Sequence, residues 1–249
     1  MNHKKTMNWS LEVNPPTFDI LGALIIAKTL DYEHVTFNYA HGLHSLKYSP
    51  EETWRRVHRM AIPLVELCGM TWDIQRGNQA SPWRGSYEDV EVIYRENGSV
   101  HKLVADPTPL RDYVTLTLRN MPYQLHRNSG PVWLEIKAAL EAMGERVIIV
   151  PDDISVKERL DLYCGAKMNM GPTTGPMALC HFSDAPYLTF RMVTEGDKRM
   201  EKFFNKGIFK VGSQFSFRGP RQAFVWEPDD YDTVIRHYSQ MMQLHQMAA

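Results

Sequence analysis

Residues 168–179, Met-Asn-Met-Gly-Pro-Thr-Thr-Gly-Pro-Met-Ala-Leu, decide the fold of this chain. A short apolar strand, Lys167–Met170, runs into a tight turn of glycine and proline, and a second glycine follows two threonines. Pro176 then opens a helix that extends to Phe182, because proline suits the first helical position. The stretch therefore predicts one strand–turn–helix unit of an α/β domain.

Similar units lie on both sides of this stretch. The predicted strands are Tyr113–Leu118, Val147–Val150, Lys167–Met170, Tyr187–Phe190 and Ala223–Trp226, and the predicted helices are Pro131–Met143, Ile154–Tyr163, Pro176–Phe182 and one that begins near Asp230. This alternation predicts a doubly wound parallel sheet, with Val147–Val150 buried on both faces. Such sheets bind ligands in the crevice outside the carboxyl ends of their strands.

The sequence pattern of the N-terminal half predicts a smaller α/β domain. Its predicted elements are a buried helix at Phe18–Ala27, a strand at Val35–Tyr39, a helix from Pro50 to near Gly69, a loop at Asn78–Tyr87 and a hairpin of Val90–Tyr94 with Val100–Val104. Ser49 caps the second helix, whose apolar face comprises Trp54, Val57, Ala61, Val65 and Cys68. The stretch Asp106-Pro107-Thr108-Pro109 interrupts the succession of predicted strands and helices. We therefore predict one domain at residues 1–108 and a second at residues 109–249. The terminal helix of the second domain can pack back on the N-terminal domain.

Composition argues against several classes of protein. Lys and Arg (28) nearly balance Asp and Glu (29), which argues against a nucleic-acid partner. The 3 cysteines form no CxxC pair, which argues against a disulfide framework or a zinc site. No signal-peptide core follows Lys4 and Lys5, and the apolar run Ile20–Ala27 is too short to cross a bilayer. We expect a cytoplasmic protein without a transmembrane segment; no heptad pattern predicts an oligomer interface, and the oligomeric state stays open.

The turn and helix start form the first candidate binding site. Backbone amides at a helix start, here those of Met177 and Ala178, lack partners inside the helix. Gly175 admits a ligand to the backbone and the two threonines add hydroxyl donors, a set that suits a phosphate. The candidate contacts are Gly171, Thr173, Thr174, Gly175, Pro176 and Met177. The alternative is structural, with Thr174 capping a helix and Gly171 turning the chain.

Polar residues after the neighbouring strands are further candidates for ligand contacts: Arg119, Asn120, Arg127, Ser129, Asp152 and Arg191. Arginine forks match phosphate oxygens bidentately, so Arg119 and Arg127 suit a phosphate after the first strand, and Arg191 follows a later strand. Asp152 suits a ribose or a base. The alternatives are ordinary surface ion pairs for the arginines and a helix cap for Asp152.

Asp19, His41 and His44 are the candidates for acid–base chemistry in the N-terminal half. Histidine transfers protons near neutral pH, and Asp19 stands at the start of the first helix. The spacing of His41 and His44 is also compatible with a metal, but no third ligand follows, so we expect none. The alternative is a pair of solvated loop histidines.

The segment Leu162-Tyr163 … Ala166 … Asn169–Leu179 resembles the C-terminal domain of GT-B glycosyltransferases, in particular the heptosyltransferase-like family (glycosyltransferase family 9). In that family a D/N-[ST]-G-P-x-H-x-A element opens the helix that cradles the diphosphate of a nucleotide-sugar. The upstream order is also similar, with Arg119-Asn120, Arg127-Asn128-Ser129, Trp133, Gly144 and Val147–Pro151 in the first two strand–helix units. The similarity covers about residues 111–195, and more weakly Trp226–Asp230.

The resemblance implies two Rossmann-like halves and the transfer of a hexosyl or heptosyl group from a nucleotide-sugar to a hydroxyl of a sugar or glycan acceptor, without a metal or other cofactor. The diphosphate would bind at Thr173–Met177 with Arg119 and Arg127, and Asp19 or His41 would deprotonate the acceptor. Ala178 replaces the family's histidine, which favours the alternative of a non-catalytic module for a nucleotide or sugar phosphate. A third candidate, another phosphate-handling enzyme, lacks a G-x-S-x-G or Cys/His nucleophile arrangement.

Overall fold

The computed structural model of the chain describes residues 4–14, 16–40, 48–81, 83–105, 112–120, 128–193 and 207–248. The chain divides into two compact units, one of residues 1–104 with 155–158 and the other of residues 105–154 with 159–249. Each unit alternates strands with helices and contains a parallel sheet. The predicted α/β fold with two Rossmann-like halves is therefore confirmed. Within the described ranges, no helix has both the length and the apolar character needed to cross a membrane.

The N-terminal unit contains a three-stranded sheet in the order β1-β2-β3. Its elements are β1 Thr6–Ser10, α1 Ile20–Thr29, β2 His34–Tyr39, α2 Pro50–Arg56, a π-helical turn Val57–Ala61, α3 Ile62–Leu67, β3 Thr71–Arg76 and α4 Tyr87–Asn97. Both strand pairs are parallel. The predicted helix at Phe18–Ala27, the strand at Val35–Tyr39 and the helix that ends near Gly69 are confirmed.

The predicted hairpin of Val90–Tyr94 and Val100–Val104 is wrong, because its first half is helix α4. Ser86 and Asp89 form a capping box at the start of this helix, each side chain accepting a hydrogen bond from the other residue's amide at 3.1 Å. Gly98, at φ 72°, ends it in the left-handed conformation. Asn97-Gly98, a pair that also favours hairpin turns, is therefore a helix terminus.

One further prediction for this unit is wrong, and two strands were not predicted. Trp54, predicted on the buried face of the second helix, is partly exposed and stacks on His58, while Thr53 is fully buried. The π-helical turn holds an extra residue and shifts the helical phase on either side of it. Pro63, two residues after the turn ends, has no amide to donate within the helix. Strands β1 and β3 were missed, since β3 is largely exposed and carries little apolar patterning.

The C-terminal unit contains a five-stranded parallel sheet. Its elements are β4 Val114–Leu116, α5 Val132–Ala142, β5 Val147–Ile149, α6 Val156–Cys164, β6 Met168–Pro172, a 3₁₀ turn Gly175–Met177, α7 Ala178–His181, β7 Tyr187–Phe190, β8 Gln222–Phe224 and α8 Tyr231–Ala248. Helix α6 belongs to this unit from Arg159 onward. The strand order β5-β4-β6-β7-β8 is 2-1-3-4-5 by position in this unit. The order reverses between β4 and β6, so a ligand crevice is expected at their carboxyl ends.

Helices cover both faces of this sheet, which confirms the doubly wound prediction. One face is apolar and packs against α5 and α8, with a core of Val114, Leu116, Trp133, Ile136, Leu140, Met168, Met170, Leu188, Phe190, Val225, Val234 and Tyr238. The other face is polar where it meets α6 and α7. There the Tyr163 hydroxyl hydrogen-bonds Thr117 and the His181 ring hydrogen-bonds Thr189, at 2.7 and 2.8 Å.

The two edge strands of this sheet, β5 and β8, differ in how far they are exposed and covered. Burial of Val147–Val150 on both faces was predicted wrongly, since β5 is an edge strand and Ile149 is 38% exposed. The outer edge of β8 is covered by the side-chain amide of Gln214, which donates to Phe224 O and accepts from Phe224 N, each at 2.7 Å. This pairing removes one site for unwanted strand addition.

Asn169 joins the central strands to helix α6 in the buried polar layer. Its side chain, fully buried, accepts from Thr115 Oγ1 at 2.5 Å and donates to Tyr163 O at 2.8 Å and Pro186 O at 2.7 Å. The network satisfies groups that would otherwise be costly to bury.

Replacing Asn169 with leucine is expected to destabilise the protein by about 3 kcal/mol, because a hydroxyl and two carbonyls lose a buried partner. Urea unfolding followed by circular dichroism measures the change. Met170→Leu is the matched control, since Met170 is equally buried but faces the apolar side; it should cost less than about 1.5 kcal/mol. Equal losses in the two variants would contradict this assignment.

Candidate functional site

The close approach of β4 and β6 at their carboxyl ends defines the candidate site. Thr117 N donates to Met170 O at 2.8 Å, and a Cβ placed on Gly171 would lie 2.3 Å from Thr117 O. Only glycine fits there without moving backbone. Gly171, predicted as a ligand contact, therefore has a packing role, and the two chain segments that leave β4 and β6 begin side by side.

Two hydrogen bonds link Arg119, which follows β4, to Ser129. The Arg119 amide donates to Ser129 Oγ at 2.8 Å, and the Ser129 amide donates to Arg119 O at 2.8 Å. This pair of bonds brings two predicted site residues together, with Arg119 half-buried and Asn120 exposed beside it. Arg127 lies outside the described residues.

The segment after β6 presents fewer donors than the sequence suggested. The Thr173 amide and hydroxyl both donate to Phe190 O, at 2.8 and 3.2 Å, so this threonine is held by the next strand. Thr174 differs: its Oγ1 is buried and has no hydrogen-bond partner within the described ranges. Gly175 next to it is exposed. An unpaired hydroxyl beside an exposed glycine is the polar feature that a ligand would satisfy.

The prediction of a free Met177 amide is wrong. This amide donates to Thr174 O at 3.1 Å, because the chain enters the helix through a 3₁₀ turn, whose i→i+3 bonds pair amides that an α-helix start would leave free. The Met177 side chain is fully buried, and Pro176 is partly buried. Since α7 has only 4 residues, its dipole contributes little. The loop residues Thr174 and Gly175 are therefore the better candidates for ligand contacts.

Arg191 is neutralised inside the protein. Its Nε and Nη2 bind the two carboxylate oxygens of Asp229 at 2.6 and 2.7 Å, and its Nη1 donates to Asn128 O at 3.0 Å. Trp133 Nε1 donates to the same carboxylate at 2.7 Å. Arg191 also has φ 49°, an unusual value for a residue with a side chain. The arrangement ties the end of β7 to the loop that contains Ser129.

Arg159 is a second arginine near the strand ends, and sequence reasoning missed it. It is only 5% exposed, donates from Nη2 to Pro151 O at 2.5 Å and lies beside the Tyr163 hydroxyl. Within the described ranges it forms no ion pair with a carboxylate. Its position was detectable, since Arg159 and Tyr163 share the buried face of α6. The predicted contact Asp152 is exposed next to Pro151.

Burial keeps two titratable side chains of the polar layer neutral. It raises the pKa of Tyr163 to about 12, although the charge of Arg159 opposes the shift, and it lowers the pKa of His181 to about 3. Both groups are therefore uncharged near pH 7 and act as hydrogen-bonding groups rather than as an acid or a base.

In the N-terminal unit, Asp19 lies directly before α1 and is exposed. Its Oδ2 accepts a hydrogen bond from Thr17 Oγ1 at 2.9 Å, which orients the carboxylate. An exposed, oriented carboxylate can take a proton from a bound hydroxyl. His41 and His44, the other acid–base candidates, lie outside the described residues.

Comparison with solved structures finds similarity to heptosyltransferases. One is E. coli heptosyltransferase WaaC with ADP, at 11% identity over 95% of this chain and 99% of that chain, with a TM-score of 0.48. Another is TibC, a dodecameric, iron-containing glycosyltransferase from enterotoxigenic E. coli, at 12% identity over 98% of this chain and 78% of that chain, with a TM-score of 0.48. No protein-family model and no curated protein matches the sequence. At these values the likeness adds no weight to a function.

Arg191→Met is expected to lower the free energy of unfolding by about 3 kcal/mol, since Asp229 is left as a buried charge. Adding Asp229→Asn should recover part of the loss. Arg236→Met is the control, because Arg236 also pairs with a carboxylate, Glu227, but both side chains are about half exposed; it should cost less than about 1 kcal/mol. Chemical denaturation measures all variants, and a small effect of Arg191→Met would refute the structural role.

Proposed function

We propose that the chain is a glycosyltransferase that moves a sugar from a nucleotide-sugar donor to an acceptor hydroxyl without a metal. The observation that carries the proposal is the switch point of the C-terminal sheet, where the order reverses between β4 and β6. Sheets with this order bind phosphorylated ligands at that point. Arg119 and Thr174 follow the two strands concerned, so a cation and an unpaired hydroxyl flank the same crevice.

The diphosphate of the donor is assigned to this crevice. The buried Thr174 Oγ1 has no partner within the described ranges and would gain one from a phosphate oxygen. Gly175 lets the ligand approach the backbone, and the Ser129 bonds hold the Arg119 backbone in place. Asp152, exposed after β5, is assigned to the ribose or the base.

Asp19 is assigned as the general base. In the proposed reaction its carboxylate takes the proton of the acceptor hydroxyl while the acceptor oxygen forms a bond to the anomeric carbon. The bond from that carbon to the donor phosphate oxygen breaks, and the nucleoside diphosphate leaves with the electron pair. Hydrogen bonds and arginine stabilise the negative charge that develops on the leaving group. His41 is the alternative base.

A non-catalytic module that binds a nucleotide or a sugar phosphate is the second candidate function. Ala178 favours it, since the resembled family has a histidine at this position of its motif. The two functions share the crevice and differ only in whether the bound donor is consumed.

A nucleoside diphosphate is expected to stabilise the protein more than inorganic phosphate. In a thermal-shift panel of UDP, GDP, ADP, CMP and phosphate, a ligand present at 100 times its Kd adds about 2.7 kcal/mol. Thr174→Val and Arg127→Ala should each weaken nucleotide binding without unfolding the protein. Thr6→Val, which removes a hydroxyl in the N-terminal unit, is the control and should leave affinity unchanged. No shift with any nucleotide would eliminate the proposal.

Asp19→Asn is expected to abolish sugar transfer while leaving the Kd of the nucleotide unchanged, because the amide cannot accept the acceptor proton. Release of nucleoside diphosphate from the matching nucleotide-sugar, with and without EDTA, measures transfer. EDTA should have no effect on the unsubstituted protein. A donor that binds but is never consumed would favour the non-catalytic alternative, and inhibition by EDTA would contradict metal independence.

A further inference from the structure

Arg159 is a buried cation whose charge the described protein does not neutralise. It is 5% exposed, and its contacts are a backbone carbonyl, Pro151 O, and the neutral hydroxyl of Tyr163. Buried charges in proteins are normally paired, because removing an ion from water without a counter-charge is costly. An anion that arrives from outside would supply the missing partner.

Arg191 differs from Arg159 because its charge is balanced by a carboxylate. Both arginines lie near the carboxyl ends of the strands, but Arg191 holds both oxygens of Asp229 and has its charge balanced. Arg159 forms no ion pair within the described ranges. Arg191 therefore offers little electrostatic stabilisation to a bound phosphate, because Asp229 already balances its charge. Arg159 offers a phosphate a full counter-charge.

Two contacts place Arg159 at the candidate crevice. Pro151 is the second residue after β5, and its carbonyl oxygen accepts a hydrogen bond from Arg159 Nη2. Tyr163, which lies beside the guanidinium, hydrogen-bonds Thr117 Oγ1 directly after β4 at 2.7 Å. The guanidinium is thus linked to the carboxyl ends of two neighbouring strands, one of which borders the switch point.

We propose that Arg159 is a ligand-binding residue that pairs with a phosphate of the bound diphosphate. The inference rests on the proposed function and deepens it by naming a charged contact. It also assigns Tyr163 a positioning role, since its hydroxyl lies between Arg159 and Thr117. Arg191 is assigned to the structure of the loop and not to the ligand.

The test compares Arg159→Met, Arg159→Lys and Arg191→Met with the unsubstituted chain. Arg218→Met is the matched control, because Arg218 also donates to a backbone carbonyl, Gln222 O, at 3.1 Å. Calorimetric titration gives the Kd of inorganic pyrophosphate and of the nucleoside diphosphates, and thermal unfolding gives the Tm of each ligand-free variant.

Arg159→Met is expected to weaken pyrophosphate binding at least tenfold while leaving the ligand-free Tm unchanged or raising it, because an unpaired buried charge is removed. Arg159→Lys should retain part of the affinity, and Arg218→Met all of it. A merely structural arginine would give the opposite pattern, with a lowered Tm and an unchanged Kd, and that result would overturn the inference.

The outcomes separate this inference from the proposed function. If pyrophosphate binds through Arg159 but no nucleoside diphosphate binds more tightly, the inference stands and the transferase proposal fails. If a nucleoside diphosphate binds equally well to Arg159→Met, the inference fails and the transferase proposal stands. If the unsubstituted chain binds neither ligand, both fail.

Discussion

The contact between Gly171 and Thr117 is the constraint on which the C-terminal unit depends. With 2.3 Å between Thr117 O and any Cβ at position 171, a side chain there would push β4 and β6 apart. Their separation sets the distance between the loops that follow. The loop with Arg119 and the loop with Thr174 start at the same level of the sheet only because that one position has no side chain.

The two faces of the C-terminal sheet differ in polarity. The face under α5 and α8 is apolar and supplies the hydrophobic stabilisation. The face under α6 and α7 carries Asn169 and Thr117, which hydrogen-bond Tyr163 of α6, and Thr189, which hydrogen-bonds His181 of α7. This polar layer ends at Arg159, near the strand ends. The buried hydrogen bonds add little to the net free energy of unfolding. They fix the position of each hydrogen-bond donor and each cationic side chain relative to the crevice.

Much of the fold was predictable from residue patterns, because buried strands and helices carry period-2 and helical apolar spacing. The C-terminal alternation around residues 168–179 was sufficient for the sheet. The wrong predictions arose where one sequence pattern is compatible with two structures. Asn97-Gly98 can end a helix or form a hairpin turn. Val147–Val150 is apolar throughout, as a central strand would be, but its strand lies at the edge of the sheet. In the candidate site, the pairing of Arg191 with Asp229 joins residues far apart in sequence, and the lack of a carboxylate partner for Arg159 among the described residues is likewise a property of the folded chain. No local pattern distinguishes a neutralised arginine from an unpaired one.

In the proposed function, the crevice between the carboxyl ends of β4 and β6 receives a diphosphate. Amide chemical shifts recorded by NMR during a titration with pyrophosphate test it most directly, because each residue reports separately. The largest saturable shifts should fall on Arg119, Thr174 and Gly175, with none in β1 or β2. Shifts confined to other surfaces, or none at saturating ligand, would contradict it.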